Sequence, residues 1–146
     1  MGRPVTDTTP IPVRTAGPFA ALGTAEPTDG ILIYGFDAVA LTVRWVGGNP
    51  ALTQLDIGFE ELRPGASEWR PSYYERATTG GTPGEVDVGA YLAHDTNLAP
   101  GGGVDVERLY VVRTRGVGQL RAVLTPIAGA VAGGQVEALI ARRSYY

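Results

Sequence analysis

The sequence predicts an all-β protein: a single antiparallel β-sandwich or jelly roll of about eight strands, preceded by an extended N-terminal arm. Three observations predict it. From Ile31 onward apolar residues recur with a period of two, the period of a strand with one buried face. Glycine and proline clusters break that alternation at intervals of roughly ten residues, as turns do in sandwiches and barrels. No stretch carries a convincing helical stripe. At 146 residues the chain is one domain's length. A domain of that size buries roughly 70% of its unfolded surface, so neither a metal nor a disulfide is needed to hold it.

Residues 1–30 stand apart from residues 31–146. Pro4, Pro10, Pro12 and Pro18 fall among threonines. Proline blocks helix and removes sheet donors, so this segment is extended or polyproline-like. Val5, Ile11, Val13, Phe19 and Leu22 make it more apolar than a plain linker. It reads either as an arm whose spaced apolar anchors lie along a neighbouring subunit, or as a frayed or self-packed terminus.

The elements of 31–146 follow in order. Ile31 to Phe36 is a short apolar run. In 39–46, Val39, Leu41, Val43 and Trp45 alternate with Ala40, Thr42, Arg44 and Val46, a half-buried strand that the Gly47-Gly48-Asn49-Pro50 turn ends. The next stretch is ambiguous. Leu52, Leu55, Phe59 and Leu62 have helical spacing, while Leu55, Ile57 and Phe59 alternate; the strand reading is favoured for 54–62. Residues 68–77 read as an edge strand, because Pro71 cannot donate to a ladder. After a glycine-rich loop, Val86, Val88, Ala90 and Leu92 share one face of a strand at 85–93. A second loop runs from His94 to Asp105. Strands at 106–115 and 118–125 follow, joined at Gly116-Val117-Gly118. Small residues at 127–134 connect to a last strand over 135–146.

The stretch from Arg108 to Leu124 sets arginines among strands. In 118–125 the faces separate into Leu120, Ala122 and Leu124 against Gln119, Arg121 and Val123. In 106–115 they do not: Leu109 and Val111 share a face with Glu107, Arg113 and Arg115. The arginines are expected at the rim of the sheet, with their stems on its surface. A second face this apolar suits a protein–protein interface. Interface candidates are therefore Arg113 and Arg115, the arm residues Val5, Ile11, Val13, Phe19 and Leu22, the edge-strand aromatics Trp69 and Tyr73, and the terminal pair Tyr145 and Tyr146, which is expected to be ordered.

The order AVALTVRWVGG, LDIGFEELRPGASEWRP, ERLYVVRTRGVGQLRAVL, GGQVEALIARR resembles the small β-sandwich structural proteins of tailed bacteriophages. Gly65 to Trp69 matches a Gly-x-x-x-Trp segment of that class. Arg108 to Val112 matches its Arg-Tyr-Val-x strand with Leu109 inserted. The resemblance covers about 39–143 and leaves the proline-rich arm outside it. It implies a non-enzymatic virion protein that assembles with other virion proteins and with copies of itself. Capsid decoration is its first placement, and neck, tail or baseplate its second. The same motifs also occur in carbohydrate-binding sandwiches, for which Trp69, Tyr73 and Tyr91 would form a stacking platform.

Composition excludes several other functions. The chain has no cysteine, which removes thiol catalysis, disulfides and thiolate metal sites together. Its net charge of -3 opposes nucleic-acid binding, whose affinity comes mostly from releasing phosphate counterions. No apolar run is long enough to span a bilayer. All twelve cations are arginine, a choice that suits bidentate contacts and also a GC-rich genome. His94 is the only histidine and lacks the surroundings of a triad. Glu60 and Glu61 are neighbours on a strand and point to opposite faces, so they cannot act as an acid–base pair. Asp87, Asp95 and Asp105 lack the spacing of a calcium loop. No catalytic residue, cofactor or metal site is expected.

Overall fold

In a computed structural model of the chain, the structure describes residues 5–46, 52–71, 76–77, 86–87, 92–95, 106–114, 118–129 and 135–145. Its strands, in chain order, are β1 (Val5–Asp7), β2 (Ile11–Gly17), β3 (Glu26–Pro27), β4 (Ile31–Leu32), β5 (Ala38–Val46), β6 (Leu52–Leu62), β7 (Arg70–Pro71), β8 (Arg76–Ala77), β9 (Val86–Asp87), β10 (Leu92–Asp95), β11 (Val106–Arg113), β12 (Gln119–Gly129) and β13 (Gln135–Tyr145). The described residues contain no helix.

Two antiparallel sheets form a β-sandwich. The first runs β1-β13-β5-β11, with β2 also paired to β13. The second runs β10-β6-β12-β3, with β4 on β12 and β7 on β6. A separate two-stranded ribbon joins β8 to β9. Successive long strands alternate between the sheets: β5 in the first, β6 in the second, β11 in the first, β12 in the second, β13 in the first. The connection from β11 to β12 therefore passes from one sheet to the other and does not close a hairpin.

The period-two pattern fixes which side of each strand faces inward. Val39, Leu41 and Val43 of β5, Tyr110 and Val112 of β11, and Ile140 of β13 form the inner wall of the first sheet. Leu55, Ile57 and Phe59 of β6 oppose them with Leu120, Ala122 and Leu124 of β12. The ambiguous stretch around Leu55 is thus strand. Its three alternating apolar residues are all 0% exposed, which a helix could not achieve with that spacing. Strand β12 runs on to Gly129, into the stretch expected to be a connection. Pro126 is tolerated in its middle because the register slips between Pro126 and Ala128, a site of irregular pairing.

Of the two readings of the N-terminal segment, the described residues follow the self-packed one. Ile11–Gly17 pairs with β13 and Glu26–Pro27 pairs with β12. Val13 and Phe19 lie in the chain's own core. This corrects the reading in which both were anchors held for a neighbour: the space they fill is intramolecular. Proline is no obstacle here, because among the described strands β2 borders β13 alone and Pro12 sits on that edge strand. Further bonds tie the segment in. The Asp29 amide donates to the Val13 carbonyl at 3.0 Å. The Thr28 amide donates to the Ala122 carbonyl at 2.8 Å, and the Thr28 hydroxyl accepts from the Ala122 amide at 3.1 Å.

Candidate functional site

Three polar constellations stand out on the sandwich, and cross-strand register sets the ion pairs of the first two. The first lies on the outer face of the first sheet. Arg44 of β5 stands opposite Glu107 of β11 on one side and Glu137 of β13 on the other. Its Nε donates to Glu107 at 3.1 Å and its Nη1 to Glu137 at 2.8 Å. The hydrogen bond that Arg44 donates to Glu107, then the charge of that carboxylate, raises the Arg44 pKa above its ordinary value. Exposed pairs of this kind add little to stability. Their value is in register, since a one-residue slip would separate all three charges.

The second constellation lies on the outer face of the second sheet. Arg121 of β12 stands opposite Glu60 of β6 and contacts it at 2.7 Å through Nη2. The Trp69 ring covers that guanidinium, with 4.3 Å between the Arg121 carbon and the ring centroid. Gly30 makes room for the indole: a Cβ there would lie 2.7 Å from Trp69 Cη2. Arg121 lies near the start of β12, toward the strand end as expected, and is half-buried, with Glu60 as its counter-charge in register. We expect Trp69→Ala to lower stability by about 1–2 kcal/mol, read as a shifted urea midpoint. That is less than the cost of truncating a fully buried aromatic. No shift in the midpoint would show that the stack contributes nothing.

The third constellation is Arg14 of β2, which sequence reading missed. Its guanidinium donates to the carbonyls of Gly17, Val136 and Pro18 and to Glu26 Oε1. It also lies 4.3 Å from the centroid of the Phe19 ring. Glu26 in turn accepts from the Ala20 amide at 2.9 Å. One side chain thus ties together β2, β13 and the loop that follows β2. No local pattern marks Arg14 for this role, because its partners lie as far away as Val136.

The remaining expected site residues are dispersed. Val13 and Phe19 are core, and Ile11 packs half-buried against it. Leu22 is exposed. Trp69 is occupied by Arg121. The backbone of Arg113 ends β11 opposite Ala38, and Tyr145 pairs with Val5 in the first sheet. The side chains of Val5, Arg113 and Tyr145 lie outside what the structure describes. So do residues Tyr73, Tyr91, Arg115 and Tyr146. Of the expected aromatic platform the structure describes Trp69, whose ring covers the Arg121 guanidinium.

Glu60 and Glu61 point to opposite faces of β6: Glu60 is half-buried outside, and Glu61 is buried inside, 3.5 Å from Arg63. His94 belongs to β10, not to a loop, and its backbone stands opposite Asp56 of β6. Among the described residues, no group of three or more His, Cys, Asp or Glu side chains could hold a metal ion. Among the described residues, Arg44, Arg121 and Arg14 bind carboxylates at separate places on the two sheets.

No protein-family model matches the chain, and no curated protein sequence matches it. Among solved structures, the SPBc2 prophage-derived protein YomS is similar, with a TM-score of 0.56. The identity is 10%, and the match covers 96% of this chain and 95% of that one. At that identity the likeness is one of fold. The chain is thus a β-sandwich similar in architecture, nearly end to end, to a protein of prophage origin.

Proposed function

We propose that the protein is a non-enzymatic structural protein of a bacteriophage particle, held in place by other virion proteins and by copies of itself. The observation that carries this reading is the fold match to a prophage-derived protein, which takes in 96% of this chain. Two features support it. Charged side chains on both outer faces are spent on cross-strand pairs, which rigidify a surface instead of poising a reactive group. Leu32, Tyr34 and Leu109 stay exposed, as contact residues of a structural subunit would. Within the particle, the placement we favour is decoration or cement on the head shell. Neck, tail or baseplate is the competing placement.

The test is mass spectrometry of particles purified from the phage that carries the gene. The chain has twelve arginines and no lysine, so trypsin will cut it at arginine alone. We expect its peptides in intact particles. A copy number close to that of the major shell protein supports decoration, and a ring-sized copy number supports neck or tail. Its absence from particles that contain the other structural proteins would overturn the proposal.

A further inference from the structure

We infer that the end of the sandwich at the Ile33–Phe36 turn docks an extended segment of another virion protein, which sets an aspartate or glutamate on Arg142 and apolar flanks on Leu32 and Tyr34. This rests on the structural-protein reading and names a surface and the chemistry of its partner.

Arg142 faces inward near the end of β13. It stands opposite Val39 and two residues past the buried Ile140, so alternation gives it the inner side of the strand. Here the turn between β4 and β5 crosses from the second sheet to the first. The Phe36 amide closes that turn by donating to the Ile33 carbonyl at 3.1 Å, with Gly35 at a φ of +78°. The Arg142 guanidinium is held against it. Its Nη1 donates to the Leu32 carbonyl at 3.3 Å, and its carbon lies 4.8 Å from the centroid of the Phe36 ring.

Arg14, Arg44, Arg63, Arg70 and Arg121 each stand beside a carboxylate. Among the described residues, no carboxylate pairs with Arg142, and its Nε is buried without a hydrogen-bond partner. The acids at this end are otherwise engaged. The Asp37 amide donates to the Arg143 carbonyl at 3.0 Å, and both residues have further partners in their own chain. Glu61, inward on β6, lies 3.5 Å from Arg63 and also has a further partner. A charged donor left unmade is costly, and a carboxylate satisfies two guanidinium donors at once.

The charge selects an acid, and the flanks select its carrier. Leu32 and Tyr34 are each 55% exposed on this turn. A phosphate backbone would meet the guanidinium but offers nothing to these two side chains, and the chain's net charge of -3 opposes it. A symmetric second copy would bring Arg142 toward Arg142, like charge on like. An acidic side chain between apolar neighbours meets Arg142, Leu32 and Tyr34 together, and arginine beside tyrosine is the chemistry of interface hot spots. The patch is one turn and one guanidinium. A single contact is therefore weak and gains strength by repetition over a particle.

Photocrosslinking in assembled particles tests this, with a benzophenone amino acid in place of Tyr34. We expect a crosslink to another virion protein, on a peptide with aspartate or glutamate within a few residues of the attachment point. Arg142→Gln should lower its yield about tenfold or more. Arg142→Glu, combined with arginine in place of the partner's acid, should restore it. Circular dichroism melts check that each variant is folded, and Leu32→Ser, at an exposed site, is the second variant that should lower the yield. The same probe in place of Leu22 should not label that peptide, because the neighbouring Gly23 is bonded to Pro126 toward the far end of β12. Particles that contain the chain but give no crosslink from position 34 would overturn the inference and leave the structural-protein reading standing. So would a crosslink to a second copy, a crosslink to a peptide without an acid, or a yield that a folded Arg142→Gln leaves unchanged. Absence of the chain from particles would overturn both.

Discussion

Deleting residues 1–30 is expected to abolish the folded state. Phe19 and Val13 are each 4% exposed and sit between the sheets. Burying each such side chain is worth ~1.5–3 kcal/mol. The two together amount to about 3–6 kcal/mol, against a total stability of ~5–15 kcal/mol for a typical domain. The deletion also removes Arg14, which leaves the Val136 carbonyl without that donor. It strips Thr28 from both backbone groups of Ala122. Two bare strand edges result, on β13 and on β12, and unpaired edges invite aggregation. Far-UV circular dichroism and urea titration of the truncated chain are the measurements. A detachable arm predicts an unmoved midpoint, whereas the structure predicts no cooperative transition at all.

The second large effect is expected at Gly118, where β12 begins beside the end of β6. Its φ is +80°, and a Cβ placed there would lie 2.3 Å from the Leu62 carbonyl oxygen and 3.3 Å from Arg63 Cα. Both obstacles are backbone. Leu62 cannot retreat without breaking its pairing with Gln119. The Gly118 carbonyl also accepts from the Ile33 amide at 3.0 Å, so a shift would disturb a third segment. Gly118→Ala should therefore cost about 3–4 kcal/mol, the sum of left-handed strain and collision. Gly65 supplies the control. Its φ is +79° but a Cβ there meets nothing within 4 Å, so Gly65→Ala should cost only ~1 kcal/mol. Equal midpoint shifts in urea for the two variants would show that the contact with Leu62 has no weight.

The two effects mark where the sequence was readable. Alternation in Val39–Leu41–Val43 and in Leu120–Ala122–Leu124 identified strands and their inner faces, because one buried face imposes a period of two wherever the strand sits. Periodicity says nothing about which strand lies beside which. That β2 borders β13 depends on partners more than a hundred residues apart, such as Gly17 and Val136, and no local pattern records it. The prolines of the first segment read as sheet-breaking, which holds for a central strand and not for an edge. Alternation puts Arg121 on the outer face near a strand end, but that Glu60 lies directly across from it takes a register to see. Short strands such as β3 and β4 carry too few residues for any period, and they form because β12 offers them an edge.

The pairing of Val5–Asp7 with the last residues of β13 has a consequence for biosynthesis. Strand β1 is synthesised well before β13, the strand that receives it. Until then the β2 segment has no lateral partner among the described strands, and Val13 and Phe19 must wait with their apolar surface uncovered. Closure between such distant segments is entropically slow. The first sheet is therefore expected to close only once β13 has been made and can receive β1 and β2.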